Sequence, residues 1–367
     1  MANIKDVARE SGFSPSTVSV VLNNAPLARY IPQRTKDKIR KTANRLRYRP
    51  NPFARSLRST RSHIIGVITP DILDPYIAQI LKGIHNALFP SSFLPVLADI
   101  QNQRARFERY LGMLLDRRVE GIITIANSFL LDVSLLGVVE EQKIPSVIIG
   151  RKPVFPRMSS VVIDNETGTR LAMKYLHALG NRHIAYIKGP RQIVDSGHRW
   201  RGICQFAEEA DLKIAEDLTV ELEQPASSYE GGYAATQKIL QRRRPFTALM
   251  AFDDMTAFGA ISALHHAGRR VPEDCAVIGF DDVAAAAYYN PPLTTIRQPL
   301  EKFGEIGVEV LTQTIEASVA GERFAPVHRL VEPELVVRES TPANSTHQER
   351  TRQVASPLPR TRGQRKR

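Results

Sequence analysis

Only two cysteines, Cys204 and Cys275, occur in 367 residues, and no metal-type spacing joins them. That excludes a disulfide framework, and the two thiols read as small buried apolar side chains in a reducing compartment. Long apolar runs are missing too: none approaches the ~18 residues that a membrane-spanning helix needs, and the N-terminus carries no signal core. The sequence therefore predicts a soluble, cytoplasmic protein with no membrane partner, which argues against an exported solute-binding protein. Catalytic signatures are equally scarce. There is no phosphate-cradling glycine-rich loop, no G-x-S-x-G elbow and no His/Cys cluster, so no enzyme, cofactor or metal site is predicted. The adjacent pair His265 and His266 falls in a helical stretch, where a surface or packing role accounts for it.

What is present is 43% apolar residues, enough for a real core, and a net charge of +12 that is spread unevenly. Thirteen Lys/Arg face three Asp/Glu in residues 1–60, and seven face one in 341–367, so the stretch between is mildly acidic. A basic head on an acidic body implies a polyanionic partner at one end. The length implies two or three folding units. After Ser340 the chain is rich in Pro, Arg, Gln and Ser, which predicts a disordered basic tail over 341–367. That tail lacks the leucine heptads of a tetramerising coiled coil, so a homodimer is predicted. Its charge either adds weak, salt-sensitive DNA affinity or only solubilises the chain.

Residues 1–49 read as three short helices. Asn3 is placed to cap the first, with Asp6 completing a capping box, and Gly12 ends it in a turn. Ser14 caps the second, with Pro15 pre-set for its first turn, and Val18, Val21 and Leu22 form one buried stripe. Pro32 opens the third. Two short helices joined by a glycine turn form a DNA-reading unit. Ser16 and Thr17 can reach base edges, and Val20 offers an apolar contact to a thymine methyl. Ser14, Ser19 and Asn23 suit phosphates, with Lys5, Arg34 and Lys36 adding charge. The competing reading is an ordinary helical hairpin with a solvated basic face. Residues 50–60 predict a hinge helix too short to be stable alone in water, with Phe53, Ala54 and Leu57 on one face. Such an apolar wedge on a basic helix suits minor-groove insertion, and a linker helix packed on the body is the alternative.

From residue 63 the pattern becomes short apolar runs separated by helical stretches. Predicted strands are 63–69, 95–99, 121–126, 146–150, 183–188, 248–252 and 276–280, with a last run at 330–337. Their continuous apolar character fits parallel sheets covered on both faces, and their number implies two similar lobes over 61–340.

The segments Ile-Lys-Asp-Val-Ala-Arg-Glu-Ser-Gly-Phe-Ser-Pro-Ser-Thr-Val-Ser-Val-Val-Leu-Asn-Asn (4–24) and Tyr-Arg-Pro-Asn-Pro-Phe-Ala-Arg-Ser-Leu-Arg (48–58) resemble the headpiece and hinge of the lactose/galactose repressor (LacI/GalR) family. The resemblance continues through Val-Val-Ile-Asp-Asn (161–165), Leu-Gly-Asn-Arg-His-Ile-Ala-Tyr-Ile (179–187), Phe-Asp-Asp-Met-Thr-Ala-Phe-Gly-Ala (252–260) and Pro-Leu-Thr-Thr-Ile-Arg-Gln-Pro (292–299). It implies an α/β fold: an N-terminal helix-turn-helix headpiece plus a two-lobed, periplasmic-binding-protein-like (type I) effector domain with parallel sheets. The lobes would be joined by crossovers near 161–164, 290–293 and 322–326. It also implies a transcriptional repressor that binds a palindromic operator in double-stranded DNA as a homodimer and answers to a small-molecule effector. Leu57 is then the wedge, with Ala54 and Arg58 beside it in the minor groove, while Ser16, Thr17 and Val20 read bases. Pro15 and the long loop 24–32 depart from the family pattern and leave the operator sequence open.

Ligands in such sheets sit beyond the carboxyl ends of strands, which singles out Asp71, Asp74, Tyr76, Asn127, Arg151, Asp195, Arg199, Asp254 and Asp281. The resemblance assigns Arg199 and Asp254 to the effector most directly, and Tyr76 could stack on a sugar ring. Each also has a plainer reading: Asp281 as a helix cap, Arg151 as a solvated charge, Asp74-Pro75 as a turn. Arg151 and Ser227 stand where purine-binding repressors place aromatic side chains, and Ile193 replaces a polar contact, which disfavours a flat base. Two arginines among carboxylates suggest a sugar or a sugar acid.

Overall fold

A computed structural model describes residues 2–23, 25–48, 61–126, 133–153, 155–223 and 228–342. The chain divides into two compact units, Met1–His63 and Ile64–Arg367. In the first, α1 (Ile4–Ser11), α2 (Pro15–Leu22) and α3 (Gln33–Arg45) enclose Val7, Ala8, Val18, Val21, Ile39 and Ala43. Local chemistry sets the helix ends as the sequence predicts. Asn3 accepts from Lys5 N and Asp6 N while the Asp6 carboxylate accepts from Asn3 N, and Gly12 closes the helix in the left-handed region at φ 77°. The long loop contains a 3₁₀ turn, Pro26–Tyr30.

The second unit contains the two expected lobes. The first is built on β1 (Ile64–Thr69), β2 (Leu94–Asp99), β3 (Gly121–Ile125), β4 (Ser146–Ile149) and β5 (Ser159–Ile163), in the spatial order β2-β1-β3-β4-β5. The second repeats that order with β6 (Ile184–Lys188), β7 (Thr219–Glu221), β8 (Ala248–Met250), β9 (Ala276–Asp281) and β10 (Thr294–Arg297). All these pairings are parallel. The connecting helices are α4 (Pro75–Leu88), α5 (Arg104–Asp116), α6 (Gly137–Glu141), α7 (Asn165–Ala178), α8 (Val194–Glu209), α9 (Tyr229–Gln241), α10 (Asp254–His266) and α11 (Leu300–Ala320).

Seven predicted strands appear within a few residues of their expected bounds, and the run 330–337 resolves into two. Strand β11 (His328–Val331) pairs with β5 in the first lobe, and β12 (Glu334–Val336) pairs antiparallel with β10 in the second. This moves two crossovers. The first lies at Asp164, as expected. The second follows β10, at 298–299, rather than 290–293, because β10 completes the second sheet before α11 returns to pack on β3, β4 and β5. The third lies at 332–333 rather than 322–326, because β11 joins the first sheet before the chain leaves it. The packed body reaches Thr341, whose buried hydroxyl bonds those of Tyr175 and Thr294. The predicted tail beyond 342 lies outside the described residues.

Each lobe is closed by a helix pair whose backbones meet at glycines. A Cβ on Gly83 of α4 would lie 1.9 Å from the Glu301 carbonyl oxygen, and one on Gly304 of α11 would lie 2.3 Å from that of Ile80. In the second lobe Gly232 of α9 and Gly259 of α10 face the carbonyls of Thr256 and Tyr229 at 2.1 and 2.0 Å on the same construction. No rotamer relieves a clash with backbone, so the helices must separate. Gly304→Ala should therefore lower the stability of the body by about 1–3 kcal/mol, the usual cost of overpacking. Chemical denaturation of the parent and the variant measures this, and superimposable curves would show that the two helices are free to move apart.

Candidate functional site

The headpiece displays its polar residues on the side of α2 away from its core. Ser16 is exposed, Thr17, Ser19 and Val20 are half-buried, and Lys5 on α1 is exposed. Two of the predicted phosphate contacts already serve the helix ends. The Ser14 hydroxyl accepts from Thr17 N at 3.1 Å and bonds the Thr17 hydroxyl at 2.9 Å. At the other end, Asn23 Nδ2 donates to the carbonyl and hydroxyl oxygens of Ser19. Residues 14–23 thus form a self-capped helix, in which Ser14, Ser19 and Asn23 fix the ends and Ser16 and Val20 lie one turn apart. Ala54, Leu57 and Arg58 lie outside the described residues.

In the body, Tyr76, Asp195, Arg199 and Asp281 come together in a cavity of about 310 Å³ between the lobes, within the size range of small-molecule sites. Its walls come from the segments that follow β1, β2, β6, β7, β8 and β9, the carboxyl ends that the fold assigns to ligands. Arg199 organises the floor. Its Nε donates to Asn165 Oδ1 at 2.9 Å, Nη1 to the Phe252 carbonyl at 2.6 Å and Nη2 to Asp281 Oδ1 at 3.1 Å. The guanidinium lies 3.7 Å from the centre of the Phe280 ring and 4.6 Å from that of Phe252. Asn165 Nδ2 passes the network on to Asp195 Oδ1 at 2.7 Å, and Gln298 Nε2 donates to Asp281 Oδ1 at 2.5 Å. Asn165 directly follows the first crossover residue and Gln298 stands at the second, so the floor of the cleft is tied to both.

Two expectations are corrected. Asp254 does not line the cleft: it is fully enclosed, accepting from Val283 N at 2.9 Å and the Thr295 hydroxyl at 2.5 Å, and burial holds its carboxyl well above the usual range. Its neighbour Asp253 is the lining residue, turned there because it is the N-cap of α10 and accepts from Thr256 N. Arg151 lines an adjoining cavity of about 540 Å³ with Arg201 and Arg329, which shares Asp195 with the cleft but does not reach Tyr76. Only one arginine therefore faces the cleft among the described residues, and three of its five N–H donors already have acceptors. Asn127 lies outside the described residues.

Asn165, Phe252, Asp253, Phe280 and Gln298 were not singled out from sequence. The capping rule could have separated Asp253 from Asp254, since an Asp three residues before Thr256 points to a cap. Nothing local marks Gln298, which acts through a strand pairing far away in sequence.

The family model for bacterial regulatory proteins of the lacI family matches residues 3–51, and that for a periplasmic binding protein-like domain matches residues 173–341. The HTH-type transcriptional repressor PurR of Aliivibrio fischeri (strain MJ11) is 32% identical over 341 residues, which cover 93% of this chain and 98% of that one. The chain belongs to the lacI family of bacterial regulatory proteins. It is a DNA-binding transcriptional repressor of that family, whose relatives regulate rather than catalyse. Among solved structures, the lac repressor dimer bound to operator and the anti-inducer ONPF superposes with a TM-score of 0.80 at 28% identity, covering 93% of this chain and 99% of that one. The transcriptional regulator CelR in complex with cellobiose matches with a TM-score of 0.68 at 30% identity, covering 93% and 100%. No described helix is long and apolar enough to cross a membrane.

The cleft is costly to keep charged. Burial pushes the Asp74 carboxyl up to about 6, with Asp253 and Asp71 adding repulsion, and the Asp281 carboxyl up to about 8 against the pull of Arg199. Both folded values exceed the unfolded value of 3.8, so their ionisation opposes folding. The stability lost in this way is nil below about pH 4 and fully developed once pH passes about 6 for Asp74 and about 8 for Asp281. The melting temperature should accordingly fall from pH 5 to pH 8. Asp74→Asn, which keeps the helix cap, should flatten the lower part of that fall. A variant profile that merely parallels the parent would rule out Asp74 as a source.

Proposed function

We propose that this repressor acts as a homodimer on a palindromic operator, in the cytoplasm alongside the chromosome, and that a small hydroxylated effector in the interlobe cleft controls it. The observation that carries this reading is the Arg199 network, which joins the cleft floor to two of the three crossovers. A ligand that favours one lobe spacing biases the whole body toward it. Through the dimer, that bias would reach the paired hinge helices and set whether Leu57 can enter the minor groove. The homodimer is supported by the operator-bound lac repressor dimer among the similar structures. Strand β2, at the open edge of the first sheet, supports it too, with exposed Leu94 and Leu97 beside Met113 of α5. A sugar-type effector is supported by the CelR complex with cellobiose and by a cleft rich in hydrogen-bonding groups. The basic tail adds weak, salt-dependent affinity for DNA.

Two variants separate reading from sensing. Leu57→Ala should weaken binding to a selected operator by at least about tenfold while the melting temperature of the body is unchanged, since the wedge contributes only on DNA. Fluorescence anisotropy against operator and random DNA measures it, and an unaltered operator affinity would remove Leu57 from the interface. Arg199→Lys keeps the charge but loses the fork that holds Asn165, Phe252 and Asp281 together. It should keep operator affinity and lose the effector response, and a normal dose response would overturn the assignment.

A further inference from the structure

Around the cleft, six carboxylates line the wall: Asp71 and Asp74 from the first lobe, and Asp195, Glu230, Asp253 and Asp281 from the second. Against them stands Arg199, whose nitrogens are already engaged by Asn165, Phe252 and Asp281. Burial raises the Asp195 and Asp281 carboxyls, so the negative charge near neutral pH rests on the outer groups, Asp71 and Asp74 from one lobe and Glu230 and Asp253 from the other, which face each other across the cleft. Asp74 caps α4 from one lobe and Asp253 caps α10 from the other, and the two repel. Apart from the carboxylates, Tyr76 is only 6% exposed and lines the cleft with Asp74, Asp195, Asp281 and Arg199, and its hydroxyl has no hydrogen-bond partner among the described residues. A phenol enclosed in this way leaves a hydrogen bond to be made. Metal binding does not explain the cluster: among the described residues no group of three or more His, Cys, Asp or Glu is arranged to hold an ion. The carboxylates surround a space of about 310 Å³ rather than a point, which suits an organic cation.

We propose that the ligand of this cleft is a small hydroxylated molecule bearing one protonated primary amine, its ammonium held between Asp74 and Asp253 and a neighbouring oxygen accepting from the Tyr76 hydroxyl. This rests on the reading of the cleft as the effector site and names the charge of the effector. A compact, three-donor cation is matched to carboxylates approaching from opposite lobes, and it turns their repulsion into a bridge. An anionic sugar would deepen the repulsion, and a neutral one would leave it in place.

The test is calorimetric titration of the full chain with matched sets on one carbon skeleton: glucose, glucosamine, N-acetylglucosamine and glucuronate, and the galactose equivalents. Simple amino alcohols and diamines complete the panel, with nucleobases as an outside class. The amine should bind at least tenfold tighter than its neutral parent and its N-acetyl form, and the acid should not bind. Asp253→Asn and Asp74→Asn, both of which keep their helix caps, should each remove most of the amine's advantage. Tyr76→Phe should weaken amine and parent alike. The inference is overturned if no amine binds, if a neutral, acidic or aromatic member binds as well as the amine, or if the two Asn variants leave the preference unchanged. Operator affinity measured with and without the bound amine tests the other reading: binding with no change in operator affinity would leave the amine site standing and remove its role as effector.

Discussion

Burying one guanidinium sets the conditions for the rest of the body. Arg199 is almost wholly withdrawn from water, and an unpaired charge in such a place would cost several kcal/mol. The surroundings answer with an acceptor on each nitrogen and two aromatic rings, Phe252 and Phe280, close by. Those acceptors come from α7, from the segment after β8 and from the end of β9, so satisfying one side chain aligns three segments. Because Asn165 and Gln298 bound the first two crossovers, the same bonds that shield the charge determine how the chain passes between lobes. The cleft is thus the visible side of a structural constraint, and a ligand that disturbs Asp281 or Asp195 acts directly on the crossovers.

The two lobes repeat one solution, five parallel strands in an order that leaves a crevice beyond the carboxyl edge, each sheet extended by one crossover strand, and segments from both carboxyl edges line the cleft. The glycine contacts, Gly83 with Gly304 and Gly232 with Gly259, bring the helices of each lobe into backbone contact, while three short segments connect the lobes.

Much of this was legible in the sequence, for identifiable reasons. The caps of α1 and α2 are local chemistry, and Asn3, Asp6, Ser14 and Pro15 act as their types and spacing dictate. Buried parallel strands advertise themselves as apolar runs, which is why seven were placed closely. What escaped depended on pairing between distant segments. The run 330–337 looks like one strand, yet the turn at 332–333 sends its halves to different sheets. Asp254 and Asp253 are indistinguishable by type. Which one faces the cleft is decided by the cap of α10, and the other is taken by Val283 and Thr295, brought there by the sheet. Arg151 follows a strand end, as a ligand contact should, but β4 places it beside Arg201 and Arg329 instead of Tyr76.

The charge of the cleft follows from the same architecture. Helix N-termini cluster at the carboxyl edge of a parallel sheet, and Asp is a favoured cap, so two facing sheets bring capping carboxylates toward one another. Asp74 and Asp253 meet in this way. A cap normally looks out on water, where repulsion over several ångströms is weak, but between lobes water is thin and the effective dielectric low. The open form is then relieved and the closed form strained, unless something positive lies between the caps. On the proposed reading, a cation bound between the caps of α4 and α10 turns the repulsion of Asp74 and Asp253 into attraction with the same groups.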